Sequence, residues 1–342
     1  MRRPVTLPVL ATAALACGFL TQPSAIADPK PAAGYRLESI AIGLAAPSGV
    51  EAEGEALLLT DLKSGRIVRR LVDGTVVDLA PPLSTGIDVM GQPTGPYKVR
   101  LQNGRVFVTQ GWPDANRAEQ KTDHALLELA AEPGEKPSIV SNAFWNPFDF
   151  TWDGKAWLVI DSGHNALMRL GKDGKPVSLF DFPRLKHDPS DLSQLSPTEF
   201  KTGGEAYEVD AVPTGLALKD GRAYVALFGG FPFIAKGGAV VSLALDGSEK
   251  MARREVIGLD APVEAKFAAD GRLLVLEMGA FDMNAQNFKA GDGRLTAIDL
   301  KTGDRKTLIS GLDRPSALAV TPDGSVVVTA LSGGIYRLSK SP

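Results

Sequence analysis

The chain has 342 residues, of which 36 are Gly and 24 are Pro; 44% are hydrophobic, and 37 basic side chains stand against 40 acidic ones for a net charge of −3. That much turn-forming residue beside enough apolar residue for a large core favours many short strands over long helices, and low-complexity tracts that would signal disorder are missing. With charge balanced and Lys and Arg scattered rather than blocked, nothing suggests a groove that neutralises nucleic-acid phosphates.

Residues 1–27 read as an export signal: Arg2 and Arg3, an apolar stretch from Val9 to Leu20, and the small-x-small tripeptide Ala25-Ile26-Ala27 before Asp28. The apolar stretch is too short to span a bilayer, and no later segment approaches 18 apolar residues in a row, so no transmembrane segment is expected. The expectation is a periplasmic or secreted protein, with residues 28–342 forming one domain. Cys17 is the only cysteine, so cleavage after Ala27 would leave no thiol for a disulfide, a nucleophile or a Cys-zinc site. The alternative is a lipoprotein box at Ala14–Gly18, with Cys17 lipidated.

From residue 47 onward one unit repeats six times. It opens on Pro47, Pro96, Pro147, Pro213, Pro262 and Pro315, at spacings of 49, 51, 66, 49 and 53 residues, and such a period marks a repeat architecture. Each Pro starts a short run that ends at a Gly, as in Asn103-Gly104, Asp153-Gly154, Asp220-Gly221, Asp270-Gly271 and Asp323-Gly324, with Glu53-Gly54 in the first unit. These read as two-residue hairpin turns. An apolar run follows each turn, as in Trp157 to Ile160 or Leu273 to Leu276, and continuous apolarity means a strand covered on both faces. A third strand is visible in every unit and a fourth in most. Four antiparallel strands per unit, each sheet covered by the next, make a six-bladed β-propeller. The last unit lacks a fourth strand, while Tyr35 to Leu44 is a strand without a unit; pairing the two closes the ring.

In such a blade the Asp-Gly turns lie on one face and the elaborated connections on the other. The long loops Gly111 to Asp123, Pro183 to Val212, Phe228 to Gly238 and Glu277 to Gly293 all fall on that second face, where binding residues tend to sit. They and their entries hold Tyr97, Trp112, Phe144, Trp145, Phe228, Phe231, Phe233 and Phe281. These either cover the blade tops or wall an apolar cavity, with Lys98, Trp112, Trp145, Phe231 and Phe233 as the candidate ligand-binding set. Two residues after each Pro the innermost strand carries Gly49, Lys98, Asp149, Gly215, Glu264 and Ala317. Three charges near one channel either pair, Lys98 with Asp149 or Glu264, or the acids, with Asn146 and Glu277, offer oxygen ligands to calcium. The loop Asp161-Ser162-Gly163-His164-Asn165 either binds its own backbone amides or presents His164 as an acid or base. No Ser-centred elbow, Walker loop or His-Glu-x-x-His helix is present.

The string from Leu158 to Leu170 followed by Asp173-Gly174 resembles an NHL-type propeller repeat. Asn146-Pro147-Phe148-Asp149, Val212 to Leu216, Gly230-Phe231-Pro232-Phe233 and Leu274 to Glu277 resemble the ScyD/ScyE family of exported propellers. That resemblance implies the six-bladed fold and export, with no settled activity. Wider six-bladed relatives include calcium-dependent lactone hydrolases of the gluconolactonase type, whose metal is held by carboxylates and amides at the channel mouth; Asp149, Glu264 and Asn146 match in chemical type. Two functions therefore stand: a propeller binding a small molecule, glycan or protein on its loop-rich face, expected to be a monomer, or a calcium-dependent lactonase or ester hydrolase.

Overall fold

The computed structural model describes residues 28–88, 91, 93–188 and 207–341; the export signal and Cys17 lie outside them. Among the described residues there are strands and no helix, so none is long and apolar enough to cross a membrane. Six antiparallel sheets of at least four strands form the blades, and three short hairpins decorate them. The inner strands are Pro47–Glu53, Pro96–Gln102, Pro147–Trp152, Pro213–Lys219, Pro262–Phe267 and Pro315–Val320. Each begins at the repeat's Pro, a position where the missing N–H leaves the ladder intact.

The same irregularity recurs in all six blades. The register with the second strand shifts just after the Pro, between it and the second residue on in five blades, as between Pro47 and Gly49 or Pro262 and Glu264, and between Pro96 and Val99 in the second blade. A bulge at this point bends the start of the inner strand and re-aims the side chains that follow. The extra residue serves the neighbouring blade: Ser48 Oγ donates to Pro96 O at 2.7 Å, Thr214 Oγ1 to Pro262 O at 3.0 Å, and Ser316 Oγ to Pro47 O at 2.6 Å.

The core is divided among the blade interfaces. Six buried clusters occur, one between each pair of neighbouring sheets. The one joining Ala317, Ala319 and Val327 to Val50, Leu57 and Leu59 seals the last blade against the first. Closure is completed by Tyr35–Ser39, which pairs with Ile335–Lys340 as the outer strand of the sixth blade. This strand is shorter than the expected Tyr35 to Leu44. After the Ile40 amide bonds to Ile335 O, the chain must cross to the first blade, where Leu44 is buried and the Ala45 and Ala46 amides are captured by Asp61. A second contact lay beyond the sequence reading: Lys30–Pro31 adds a short fifth strand to the fifth blade, so the N-terminal segment straps two blades.

Five of the six inner hairpins fall into two kinds, and the first blade closes on Gly54 and Glu55 with positive φ at Gly54 alone. Asn103-Gly104 and Asp220-Gly221 have positive φ at both residues, as a two-residue connection requires. At Asp153, Asp270 and Asp323 the turn is wider, because the aspartate side chain takes over backbone amides: Asp153 Oδ1 accepts from Lys155 N at 2.8 Å and Ala156 N at 2.7 Å.

Candidate functional site

The bulges aim Lys98, Asp149 and Glu264 into the central channel, and all three are fully buried. Lys98 Nζ donates to Glu264 Oε2 and to Ser316 O, both at 2.6 Å. Three further charges join them from two residues along the inner strands, because alternate residues of a strand share a face: Glu51 after Gly49, Arg100 after Lys98 and Lys266 after Glu264. Arg100 Nη2 meets Asp149 Oδ1 at 2.5 Å and Glu264 Oε1 at 3.5 Å, and its Nη1 lies 3.5 Å from Glu51. Lys266 Nζ lies 3.0 Å from Glu264 Oε1 and 3.7 Å from Asp149 Oδ2. The cluster thus holds three cations and three carboxylates. The sequence signal for the second tier was the strand period of two, applied once more along each repeat.

Electrostatics follow from that geometry. Burial pushes Glu264 up, yet the fields of Lys266, Lys98 and Arg100 outweigh it and hold the carboxyl at about 2. Burial draws Lys98 below the ordinary lysine value against the opposing pull of Glu264 and Asp149. Burial opposes Arg100 as well, but Asp149, Glu51 and Glu264 together keep its pKa above the ordinary value.

This donor set does not fit calcium. Asp149 Oδ1 already accepts from Arg100 and from the Phe150 amide at 2.8 Å, and its Oδ2 from the Leu216 amide at 2.8 Å. Glu264 lies between two ammonium groups and a guanidinium, whose charge opposes a divalent cation. Glu277 belongs to a separate cluster, where Arg294 contacts it at 2.7 Å and Asp260 at 2.6 Å. Asn146 donates its backbone N–H to Asp161 Oδ1 at 2.8 Å, and its buried Oδ1 has no partner. Among the described residues, no three His, Cys, Asp or Glu side chains converge as a metal cage.

On the rim of the loop-rich face the fold builds one turn twice. In the first blade Asp61, fully buried, accepts from the Ala45 amide at 3.2 Å, the Ala46 amide at 2.6 Å and Ser64 Oγ at 2.6 Å. In the third blade Asp161, equally buried, accepts from the Trp145 and Asn146 amides at 2.8 Å, and His164 Nδ1 lies 2.7 Å from it. Both turns finish on a residue of positive φ, Gly65 and Asn165. Ala45 and Trp145, Lys63 and Gly163, Ser64 and His164 therefore occupy matching places. A carboxylate that ties two backbone amides into a turn explains Asp61 and Asp161. It does not explain the Trp, the Gly or the His.

Those three side chains fit one another. Gly163 has an ordinary backbone conformation, but a Cβ there would overlap Cδ1 of the Trp145 indole. Trp145 is 54% exposed, and its carbonyl accepts from His124 Nδ1 at 2.5 Å. The indole lies beside both imidazoles, at centroid distances of 6.4 Å for His124 and 6.0 Å for His164. A carbonyl only accepts, so His124 Nδ1 carries the proton and Nε2 is the acceptor of the neutral ring. Asp161 imposes the same tautomer on His164, whose side chain is half exposed.

The remaining aromatic candidates separate by burial. Tyr97 and Phe144 are buried; burial pushes the Tyr97 hydroxyl up to about 12. Trp112 is half-buried, and its Nε1 has no partner. Phe228, Phe233, Phe281 and Phe288 form a cluster of edge-to-face and tilted rings at 4.9 to 5.6 Å, which Phe231 tops at 46% exposure. The expected ligand-binding set thus divides into an axial Lys98 with no exposed surface, a half-buried Trp112 in the second blade's loop, the Phe cluster over the fourth and fifth blades, and Trp145 over the second and third.

No protein-family model matches the chain, and no curated protein matches it. Solved structures do. A gluconolactonase from Xanthomonas campestris is 13% identical with a TM-score of 0.58, and the match covers 91% of each chain. A structure described as a putative gluconolactonase is 13% identical at 0.56, covering 91% of this chain and 93% of that one. A streptogramin B lyase is 14% identical at 0.53, covering 90% and 98%. The protein is thus a six-bladed β-propeller of the architecture shared by gluconolactonases and streptogramin B lyases, and the likeness is one of fold.

Proposed function

We propose that this chain is an exported propeller of the ScyD/ScyE kind that binds a small molecule, glycan or protein on its loop-rich face. The observation that carries the reading is the contrast between the channel and that face. The axial charges are engaged with one another, whereas among the described residues the loops present Trp145 and Phe231 as the exposed large aromatic side chains. Concave or rimmed surfaces with aromatic contacts and a few polar groups are the usual form of a ligand site. The experiment is a thermal-shift screen of the purified protein against small molecules, glycans and peptides, repeated with Phe231→Ala and Trp145→Ala. A ligand whose shift is lost in one of these variants supports the reading; a ligand whose shift survives in both overturns it.

A hydrolase or lyase reading is favoured by one observation, the Asp161–His164 pair with its exposed imidazole, which has the form of an oriented general base. Hydrolysis of a panel of lactones and esters, run with and without chelator, tests it. Turnover abolished in His164→Ala would establish it, and the calcium-dependent version requires in addition that chelator remove the activity.

A further inference from the structure

We propose that Trp145, together with His124 and His164, is a stacking platform for a sugar ring at the rim between the second and third blades; this rests on the loop-face binding reading and names the ligand class. The first ground is the comparison of twin turns. The aspartate-anchored turn forms equally well with Ala45, Lys63 and Ser64 as with Trp145, Gly163 and His164. Folding the turn therefore does not call for the second set. The three differences are matched to each other, since Gly163 is the residue that lets the indole lie against the backbone.

The second ground is fixation. Trp145 donates its N–H to Asp161 and its carbonyl accepts from His124, so both sides of its backbone are tethered. An exposed indole held in this way binds with little further loss of conformational freedom.

The third ground is chemistry. Trp145 is the large apolar side chain exposed on this segment, with only the small Ala143 exposed beside it in the chain, and polar side chains accompany them: Glu119, Lys121 and Asn142 are exposed, and Glu119 lies 4.0 Å from His124 Nε2. A protein partner would need a wider apolar patch around the aromatic anchor. A pyranose ring offers one face of C–H bonds, polarised by ring oxygens, to the negative face of the indole, and hydroxyls at its edge. In their neutral tautomers the Nε2 atoms of His124 and His164 accept hydrogen bonds from such hydroxyls.

The test titrates the purified protein with hexasaccharides of glucose, mannose, N-acetylglucosamine and galacturonic acid, read by calorimetry and by tryptophan emission. One class is expected to bind with a shift in emission. Trp145→Ala should weaken it by at least about tenfold, and Gly163→Ala, which tilts the indole but keeps every polar group, by several-fold. Both variants should melt close to the parent, which separates lost binding from lost folding. Val177→Ala, at an exposed side chain on the outer strand of the third blade, should bind as the parent does. Absence of binding by all four sugars at millimolar concentration overturns the proposal, as does binding that Trp145→Ala leaves intact. If Phe231→Ala abolishes sugar binding while Trp145→Ala does not, the platform is refuted and the loop-face reading survives.

Discussion

The channel and the rim of this propeller both hold polar side chains, and they put them to opposite uses. Along the axis Lys98, Arg100 and Lys266 face Glu51, Asp149 and Glu264, and the members of greatest burial are each bonded to a partner. At the rim Asp161 is fully spent on backbone amides and an imidazole, but the groups it positions, Trp145 and His164, stand half in solvent. Burial is the reason for the difference. Charge drawn into the narrow end of six converging sheets must find a partner or leave the fold unstable, whereas a side chain on a wide, loop-bearing face is under no such demand.

The comparison can be broken most forcefully at Glu264. Glu264→Ala leaves Lys98 without its carboxylate and should destabilise the fold by about 3–5 kcal/mol in chemical denaturation, with ligand binding at the rim unchanged. A loss under about 1 kcal/mol would mean that the axis is hydrated and the contrast false.

Acid reads the same cluster. The folded pKa of Glu264, about 2, lies below the value of 4.5 for a free glutamate. Its contribution is therefore complete above 4.5 and decays as pH falls toward 2, because the unfolded chain then binds the proton more readily. Stability measured across that interval should fall, and the fall should flatten in Glu264→Gln.

A smaller effect separates scaffold from function at the rim. Asp61→Ala and Asp161→Ala should each cost about 1–3 kcal/mol, since each leaves a pair of backbone amides without their acceptor. Similar losses would establish the twin turns as equivalent supports; a loss confined to Asp161 would break the equivalence. The smallest effect is expected at the exposed indole, where Trp145→Ala should change stability by less than about 1 kcal/mol in thermal melts. A larger loss would make Trp145 a packing residue.

Much of this architecture is legible in the chain. The Pro at each repeat start, the Gly-bearing turn and the buried second strand locate every blade, and the missing fourth strand of the last blade points to the N-terminal segment as its partner. The wider turns at Asp153, Asp270 and Asp323 escaped, because Asp-Gly serves both a two-residue connection and a longer one in which the carboxylate bonds amides. Glu51, Arg100 and Lys266 escaped although their alternation with Gly49, Lys98 and Glu264 was visible. The matching of Trp145 to Gly163 left no sequence signal of its own, since a glycine in a loop has many causes.

The sequence by itself determined a sixfold repeat and its closure, because strand periodicity, turn chemistry and the mismatch between first and last units are local properties carried in each short segment. Only the tertiary structure decided which charges meet. Lys98 and Glu264 stand 166 residues apart and become partners solely because ring closure brings the second and fifth blades to one axis. The same convergence made the carboxylates partners of cations, and left the rim as the place where aromatic and imidazole groups face outward.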